Sequence, residues 1–279
     1  MSRSLSTRAL VLPGLAFLLV VFVVPVLFML KVSFTGETAA GDYFSRFFGS
    51  GAYFSVLITT LRVSVVVSFL TLLVGYPISY FIYSRPERQR PVLLFLVLVP
   101  MWMSVLVRTY AWMVVLGRQG MVNSLLLDLG ITATPLKLMY TTGAVYLVMV
   151  QVLLPFMIVA CFSGMSEIDH TFVRAARILG ASPGYAFRRI FLPLSLDGAV
   201  NGFVLVFMLS MGFFIVPALI GGPKDTMMAN LIEIQVEQAD WGFAAALSVV
   251  LLVATIAIMF LIRAASRRFT FSLAEGTRP

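Results

Sequence analysis

The chain has 279 residues, of which 60% are hydrophobic and 11% are charged, and its mean hydropathy is +1.01. This composition excludes an ordinary soluble globular protein and indicates a polytopic membrane protein. A net charge of +8 would suggest a nucleic-acid partner for a soluble protein, but in a membrane protein basic loops account for it, so no nucleic acid is expected.

Six apolar runs are long enough to cross a bilayer core of roughly 30 Å at about 1.5 Å per helical residue. They lie at about residues 9–30, 56–83, 91–116, 141–162, 198–220 and 243–262. The first run follows Arg3 and Arg8, as a signal peptide would, but it lacks a small-residue cleavage pattern, so a retained helix is expected. The runs predict an all-α membrane protein with one transmembrane domain, residues 1–279, of six helices.

Basic residues in the short connections predict the orientation. They concentrate at the N-terminus, in the connection at 84–90, in the loop at 164–195 and in the C-terminal tail. Such segments stay on the cytoplasmic side, so both termini are expected in the cytoplasm. The opposite connections form a mildly acidic outer face that includes Glu37, Asp42, Asp128, Asp225, Glu233, Glu237 and Asp240.

Two arginines, Arg62 and Arg108, lie within or at the ends of apolar runs, where a charge must pair, face water or reach the interface. Counting residues from the cytoplasmic end of each apolar run places both arginines near the outer interface. Trp102, Tyr110 and Trp112 would suit an aromatic belt around Arg108, which favours simple interfacial anchoring. The alternative is that Arg108, Tyr110 and Trp112 line the outer mouth of a transport pathway.

Residues 168–195, IDHTFVRAARILGASPGYAFRRIFLPLS, form a charged island between two apolar runs. Ser166 and Asp169 are both plausible N-caps for a short helix. Four apolar residues then recur at helical spacing and define one face: Phe172, Ala175, Ala176 and Leu179. The small alanines would allow a close approach, so this face predicts a docking surface for a partner protein.

Gly180 follows this face, where a helix commonly ends in a left-handed residue. Ser182 and Pro183 are typical of the cap and first position of a second helix, and Pro193 is expected to end it. The segment therefore predicts a helix, a glycine hinge and a second helix.

The same segment resembles the signature loop of the inner-membrane permease subunits of ABC importers, which reads EAA, three residues, Gly, nine residues, Ile, one residue, Leu-Pro. The matching positions are Ala175, Ala176, Gly180, Ile190, Leu192 and Pro193. Arg174 stands where the family has Glu, a reversal of charge, so the family's salt bridge to the ATPase cannot form in the same sense here. The resemblance implies a type I ABC importer permease fold and a coupling role for this loop.

Two further stretches resemble the first permease subunit of spermidine/putrescine-type importers: residues 100–123, PMWMSVLVRTYAWMVVLGRQGMVN, and residues 217–230, PALIGGPKDTMMAN. This implies import of a small organic solute, with a polyamine as one candidate, by alternating access. The fifth run contains no acid to receive an ammonium group. Because the same branch also resembles importers of opines, amino-acid derivatives and phosphonates, those solutes stay open.

The end of the fifth run holds the gate candidates. Pro217 lies four residues before Gly221, so the outer end of this run is expected to be non-helical. Irregular backbone at membrane depth is tolerated where it lines a cavity. Phe213, Phe214 and Pro217 are therefore expected at or near the gate, although a phenylalanine in such a helix can equally face lipid or fill the core.

The resemblance also implies the partners: a second, different permease subunit, two copies of an ATPase subunit, a solute-binding protein and the lipid of the bacterial inner membrane. The sequence GGPKD at Gly221 lacks the spacing of a phosphate-binding loop. The chain is therefore expected to be a non-catalytic subunit without cofactor or metal, with ATP and Mg²⁺ bound by the ATPase. A membrane-embedded enzyme or assembly factor is the distant alternative, and it would need polar catalytic residues converging inside the spans.

Overall fold

The computed structural model describes the backbone of residues 3–35 and 41–275 and, within them, the side chains of 13–35, 41–169, 171–172 and 174–265. Regular structure in this part of the chain is helical throughout. Glu37 and several arginines used above for the orientation lie outside the described side chains, namely Arg3, Arg8, Arg267, Arg268 and Arg278.

The described helices are, in chain order, α1 (Arg3–Phe34), α2 (Asp42–Gly49), α3 (Gly51–Tyr83), α4 (Arg90–Leu98), α5 (Val105–Leu116), α6 (Met121–Asp128), α7 (Thr142–Ser166), α8 (His170–Ile178), α9 (Pro183–Ala186), α10 (Leu192–Met211), α11 (Ile215–Ile220), α12 (Met228–Glu237) and α13 (Trp241–Glu275). Tight turns of 3-10 type lie at Val99–Trp102 and Pro223–Asp225, and a wider π turn lies at Phe187–Phe191.

Five helical stretches in the described residues are long and apolar enough to span a membrane: Pro13–Phe34, Gly51–Tyr83, Thr142–Ser166, Pro183–Met211 and Trp241–Ala265. A sixth crossing results if the bent pair Arg90–Trp102 and Val105–Asp128, which meet at 88°, is one span. The third run was expected as one span over about residues 91–116, and the structure has two helices there with a break between them. Pro100 cannot donate a backbone hydrogen bond, and the chain is extended at Met103 and Ser104.

The fifth span begins earlier than predicted, because α9, the π turn and α10 form one continuous helical stretch, Pro183–Met211. Pro193 was expected to end the second helix of the loop, and instead it lies in the first turn of α10. The Leu192 amide donates to the Phe187 carbonyl, a wider turn than in an α-helix. This wider turn makes room for the proline ring.

The outer end of the fifth span does break, but not at Pro217. The break lies between α10 and α11, at Gly212–Phe214 in the chain, and Pro217 is inside the first turn of α11, where a missing N–H costs nothing. Asn230 Nδ2 donates to the Phe214 carbonyl at 2.8 Å and fixes the break.

Contacts group the chain into two units, one of Met1–Ser55 with Leu231–Val253 and one of Val56–Asn230 with Ala254–Pro279. In the second unit α7 is central, since Val145, Val148 and Met157 on it have no exposed surface. By contrast, none of the apolar window of Pro13–Phe34 is buried within the chain. The single transmembrane domain over residues 1–279 stays a prediction.

Candidate coupling surface and pathway residues

The start of α8 is fixed by Asp169, whose Oδ1 accepts from the Thr171 backbone N–H at 2.8 Å and from the Thr171 hydroxyl at 2.6 Å. The alternative cap, Ser166, belongs to α7 and donates to the Phe162 carbonyl. Of the two N-caps that the sequence allowed, Asp169 is therefore confirmed.

The end of α8 is a left-handed turn at Gly180, with φ of +89°. Gly180 N–H donates to the Arg177 carbonyl at 3.1 Å, and Ala181 N–H donates to the Ala176 carbonyl at 3.0 Å. These two bonds form a Schellman motif and satisfy carbonyls at the end of the helix. Ser182 Oγ accepts from the Tyr185 N–H at 3.3 Å and starts α9. The predicted glycine hinge is confirmed.

The apolar face of α8 is uncovered. Phe172 is 58% exposed and Leu179 is 87% exposed, and Ile178 beside it is 86% exposed. Ala175 is exposed and Ala176 is half-buried. Exposed apolar surface outside the membrane-spanning stretches is typical of a protein interface. Docking by these residues stays a prediction.

The second half of the loop, from α9 to the start of α10, packs against α3 through aromatic side chains. Tyr80 and Phe187 have ring centroids 4.9 Å apart, and Tyr83 and Phe191 have centroids 5.2 Å apart. Of the signature residues in this half, Ile190, Leu192 and Pro193 are partly buried. The loop therefore has an exposed half, α8, and an anchored half that continues into the fifth span.

Arg174 is exposed and lies with Arg177 at a cavity of about 300 Å³, whose other lining includes Tyr80, Tyr83 and Phe187. Within the described residues Arg174 makes no ion pair. Its guanidinium is therefore available to a partner.

Two of the gate candidates, Phe213 and Phe214, lie in the break of the fifth span, and Pro217 follows it in α11. Phe213 is partly buried and packs against the core, Phe214 is 39% exposed, and Pro217 is buried. Their role at a gate stays a prediction.

Arg108 is buried, with only 8% of its surface exposed. Its Nε and Nη1 atoms have no hydrogen-bond acceptor. Trp112, one turn further along the same face of α5, donates from Nε1 to Gln151 Oε1 at 3.4 Å, whereas Tyr110 is 54% exposed on the opposite face. A guanidinium buried in this way does not fit an anchor that extends to the interface.

Two of the predicted outer acids already have partners. Asp225 accepts from the Thr142 hydroxyl at 2.6 Å and from the Gly222 N–H at 2.9 Å. Asp240 pairs with Arg46 at 2.9 Å. Burial lowers the pKa of Arg46, but the hydrogen bond to Asp240 and the neighbouring Tyr53 outweigh burial and raise this pKa overall.

The run 198–220 contains no acid, but an acid lies one position before it in the same helix. Asp197 lies in α10, within the spanning stretch Pro183–Met211. It lines a cavity of about 440 Å³ that is bounded by α7, α10 and Phe172 of α8, together with Glu167, Asp169 and Asn201. The sequence boundary drawn at residue 198 concealed this acid by one position.

Comparison with known proteins identifies the family. Residues 72–271 match the family described as the inner membrane component of binding-protein-dependent transport systems. The spermidine/putrescine transport system permease protein PotB of Salmonella typhimurium (strain SL1344) is 40% identical over 200 residues, covering 71% of this chain and 70% of that protein. PotB of Haemophilus influenzae is 34% identical over 246 residues, covering 85% of this chain and 86% of that protein.

Solved structures support the same fold. A bacterial alginate ABC transporter, in complex with a pentasaccharide-bound periplasmic protein, aligns with a TM-score of 0.73 at 19% identity, covering 96% of both chains. The MetNI methionine ABC transporter, in an inward-facing conformation, aligns with a TM-score of 0.56 at 18% identity over 80% of this chain and 99% of that chain. The chain therefore belongs to the binding-protein-dependent transport system inner membrane component family, and it is a multi-pass permease subunit of an ABC importer in the inner membrane.

Proposed function

We propose that this chain is the first of two different permease subunits in an importer of a polyamine, and that α8 couples it to an ATPase. Two ATPase subunits bind ATP and Mg²⁺, and a separate binding protein delivers the solute. The observation that carries the coupling role is the uncovered apolar face of α8, held by a left-handed glycine turn and joined to two spans.

In this mechanism α8 is seated in a cleft of one ATPase, with Phe172, Ala175 and Leu179 buried against it. Closure of the ATPases on ATP moves α8 as a unit, because Asp169 and Gly180 fix both of its ends. The packing of Phe187 on Tyr80 transmits this movement to α3, and the continuous helix transmits it to α10. Two states of the spans, biased from the ATPase side, then give alternating access.

The exposed Arg174 adds a charge requirement to this interface. A guanidinium that makes no ion pair among the described residues is best satisfied by a carboxylate of the ATPase. We therefore expect an acidic residue near Arg174 in the ATPase cleft.

Two observations support a polyamine as the solute. The relatives that share 34–40% identity are named as spermidine/putrescine permeases. In addition, the cavity between α7 and α10 carries carboxylates of Asp197, Glu167 and Asp169, although Asp169 also caps α8. Carboxylates compensate for the lost hydration of ammonium groups, so this cavity suits the passage of a cationic solute.

The decisive experiment is ATP hydrolysis by the complete complex in proteoliposomes, with its binding protein and a panel of polyamines, opines, amino-acid derivatives and phosphonates. Stimulation by spermidine or putrescine is expected. Stimulation only by an anionic or zwitterionic solute would overturn the polyamine assignment, while leaving the coupling role of α8 to be tested separately.

The coupling role is tested with Leu179→Ser. Leu179 is exposed in the chain, so its replacement should leave folding and membrane insertion intact and should weaken ATPase binding by about tenfold. The matched control is Leu129→Ser, which changes an equally apolar residue, 70% exposed, in the connection after α6. Equal ATPase binding by both variants would exclude α8 as the docking element.

A further inference from the structure

Arg108 is a buried cation that forms no ion pair with any of the described side chains. It lies in the first turn of α5, directly after the break in the bent third span, and it is 8% exposed. Its Nε and Nη1 atoms are buried and donate to no acceptor. A charge removed from water in this way is strongly unfavourable unless an anion pairs with it.

The N-terminus of α5 adds partial positive charge at the same place. Side chains on a helix generally lean toward its N-terminus, and Arg108 lies in the first turn of α5. Ser104 occupies the N-cap position but makes no side-chain capping bond, which leaves first-turn N–H groups without a side-chain acceptor. In broken membrane helices such ends face anionic groups.

An anion can approach this guanidinium from one side only. Two of its three nitrogens, Nε and Nη1, are sealed within the chain, and Nη2 is not among the buried unpaired atoms. No carboxylate among the described side chains forms an ion pair with Arg108, which leaves a neighbouring subunit as the source of the missing anion.

Trp112, on the same face of α5 as Arg108, indicates how far from the membrane surface this face lies. Trp112 contacts Gln151, which lies about 13 Å along α7 from its first residue at 1.5 Å per residue. Both ends of α7 are therefore distant from this contact. A lipid phosphate stays at the interface, whereas a protein side chain can reach this depth.

We infer that Arg108 forms an intramembrane ion pair with a carboxylate of the second permease subunit. This inference rests on the proposed function, because that function supplies the second permease whose carboxylate would pair with Arg108. A carboxylate from the neighbouring subunit neutralises Arg108 throughout the cycle. The pair also gives the two different permeases a specific register against each other.

The test uses the complete importer and measures association of the two permeases in detergent without solute. Arg108→Gln is expected to reduce the second permease that co-purifies by at least about tenfold. Arg108→Lys, which keeps the positive charge, is expected to retain most of the association with the second permease. Arg62→Gln is the matched control, since Arg62 is an exposed arginine of α3, and it is expected to leave association unchanged. Monodispersity of the chain alone confirms folding of each variant.

A second experiment identifies the partner residue. Arg108→Glu should abolish uptake, and selection for restored uptake after mutagenesis of the second permease should recover Asp or Glu replaced by Lys or Arg in one of its spans. Suppressors confined to other residue types would overturn the inference. Normal association of Arg108→Gln with an altered KM for solute would also overturn it, because Arg108 would then contact the solute.

The two proposals fail in different ways. Association of the permeases is measured without solute, so it does not depend on which solute is carried. A wild-type complex that assembles through Arg108 but is not stimulated by any polyamine would contradict the proposed solute alone.

Discussion

Gly164 of α7 and Gly198 of α10 lie so close that a Cβ atom added to Gly164 would be 2.5 Å from the Gly198 Cα and 2.9 Å from its backbone nitrogen. The obstacle is backbone, which cannot move without separating the two helices. This contact lies beside the cavity that Asp197 lines. The helix that follows the coupling loop is thus held directly against the central helix of its unit.

Replacement of Gly164 by alanine is expected to destabilise the chain by about 1–3 kcal/mol through overpacking. Gly202→Ala should be milder, because its Cβ would meet the flexible Met157 Sδ at 2.8 Å. Gly212→Ala is the control, since nothing lies within 4 Å of its Cβ position. The relative stability of the three variants is measured as the loss of monodisperse protein on heating in detergent. Equal stability of all three would contradict the packing argument.

Gly180 tests backbone conformation without any steric change, because nothing lies within 4 Å of its Cβ position. Gly180→Val should strain the left-handed turn by roughly 1–2 kcal/mol, disorder the end of α8 and abolish solute-stimulated ATP hydrolysis. Gly180→Asn should retain most of the coupling, because asparagine tolerates this conformation. Full coupling in the valine variant, at normal expression, would show that the turn is dispensable.

The Asp225–Thr142 bond is expected to hold the outer connection onto the start of α7. Asp225 is 2% exposed and accepts the Thr142 hydroxyl at 2.6 Å. Asp225→Asn or Thr142→Val should each cost about 1–3 kcal/mol, and the double variant should cost less than their sum. A double-mutant cycle by thermal unfolding measures this coupling, with exposed Glu237→Gln as the control, and strict additivity would exclude a direct interaction.

Asp197→Asn is expected to raise the KM for a polyamine several-fold at unchanged expression, because one carboxylate of the cavity is lost. Glu87→Gln removes an exposed carboxylate from the connection between α3 and α4 and should leave KM unchanged. Uptake kinetics in proteoliposomes compare the two. An unchanged KM in Asp197→Asn would remove this cavity from the pathway.

The sequence predicted both ends of α8 to within single residues because the signals at those ends are local. Asp169 bonds to a residue two positions away, and the Gly180 turn closes within one helical turn of α8. Pro193 misled the prediction, since a proline in a first turn and a proline that ends a helix look alike in sequence. The π turn that distinguishes them is a property of the folded backbone.

Composition and periodicity by themselves determined that the chain is an all-α membrane protein and where its apolar runs lie. The resemblance of residues 168–195 to a family signature identified the loop. Each of these depends on residues close in sequence. Only the tertiary structure decided that Arg90–Trp102 and Val105–Asp128 meet at 88°, that Arg108 is buried with two nitrogens unpaired among the described residues, and that Asp225 bonds to a residue 83 positions away. Burial and pairing depend on which distant helices meet. Whether a helix face is buried depends on which other helices pack against it, and this is decided only in the folded protein.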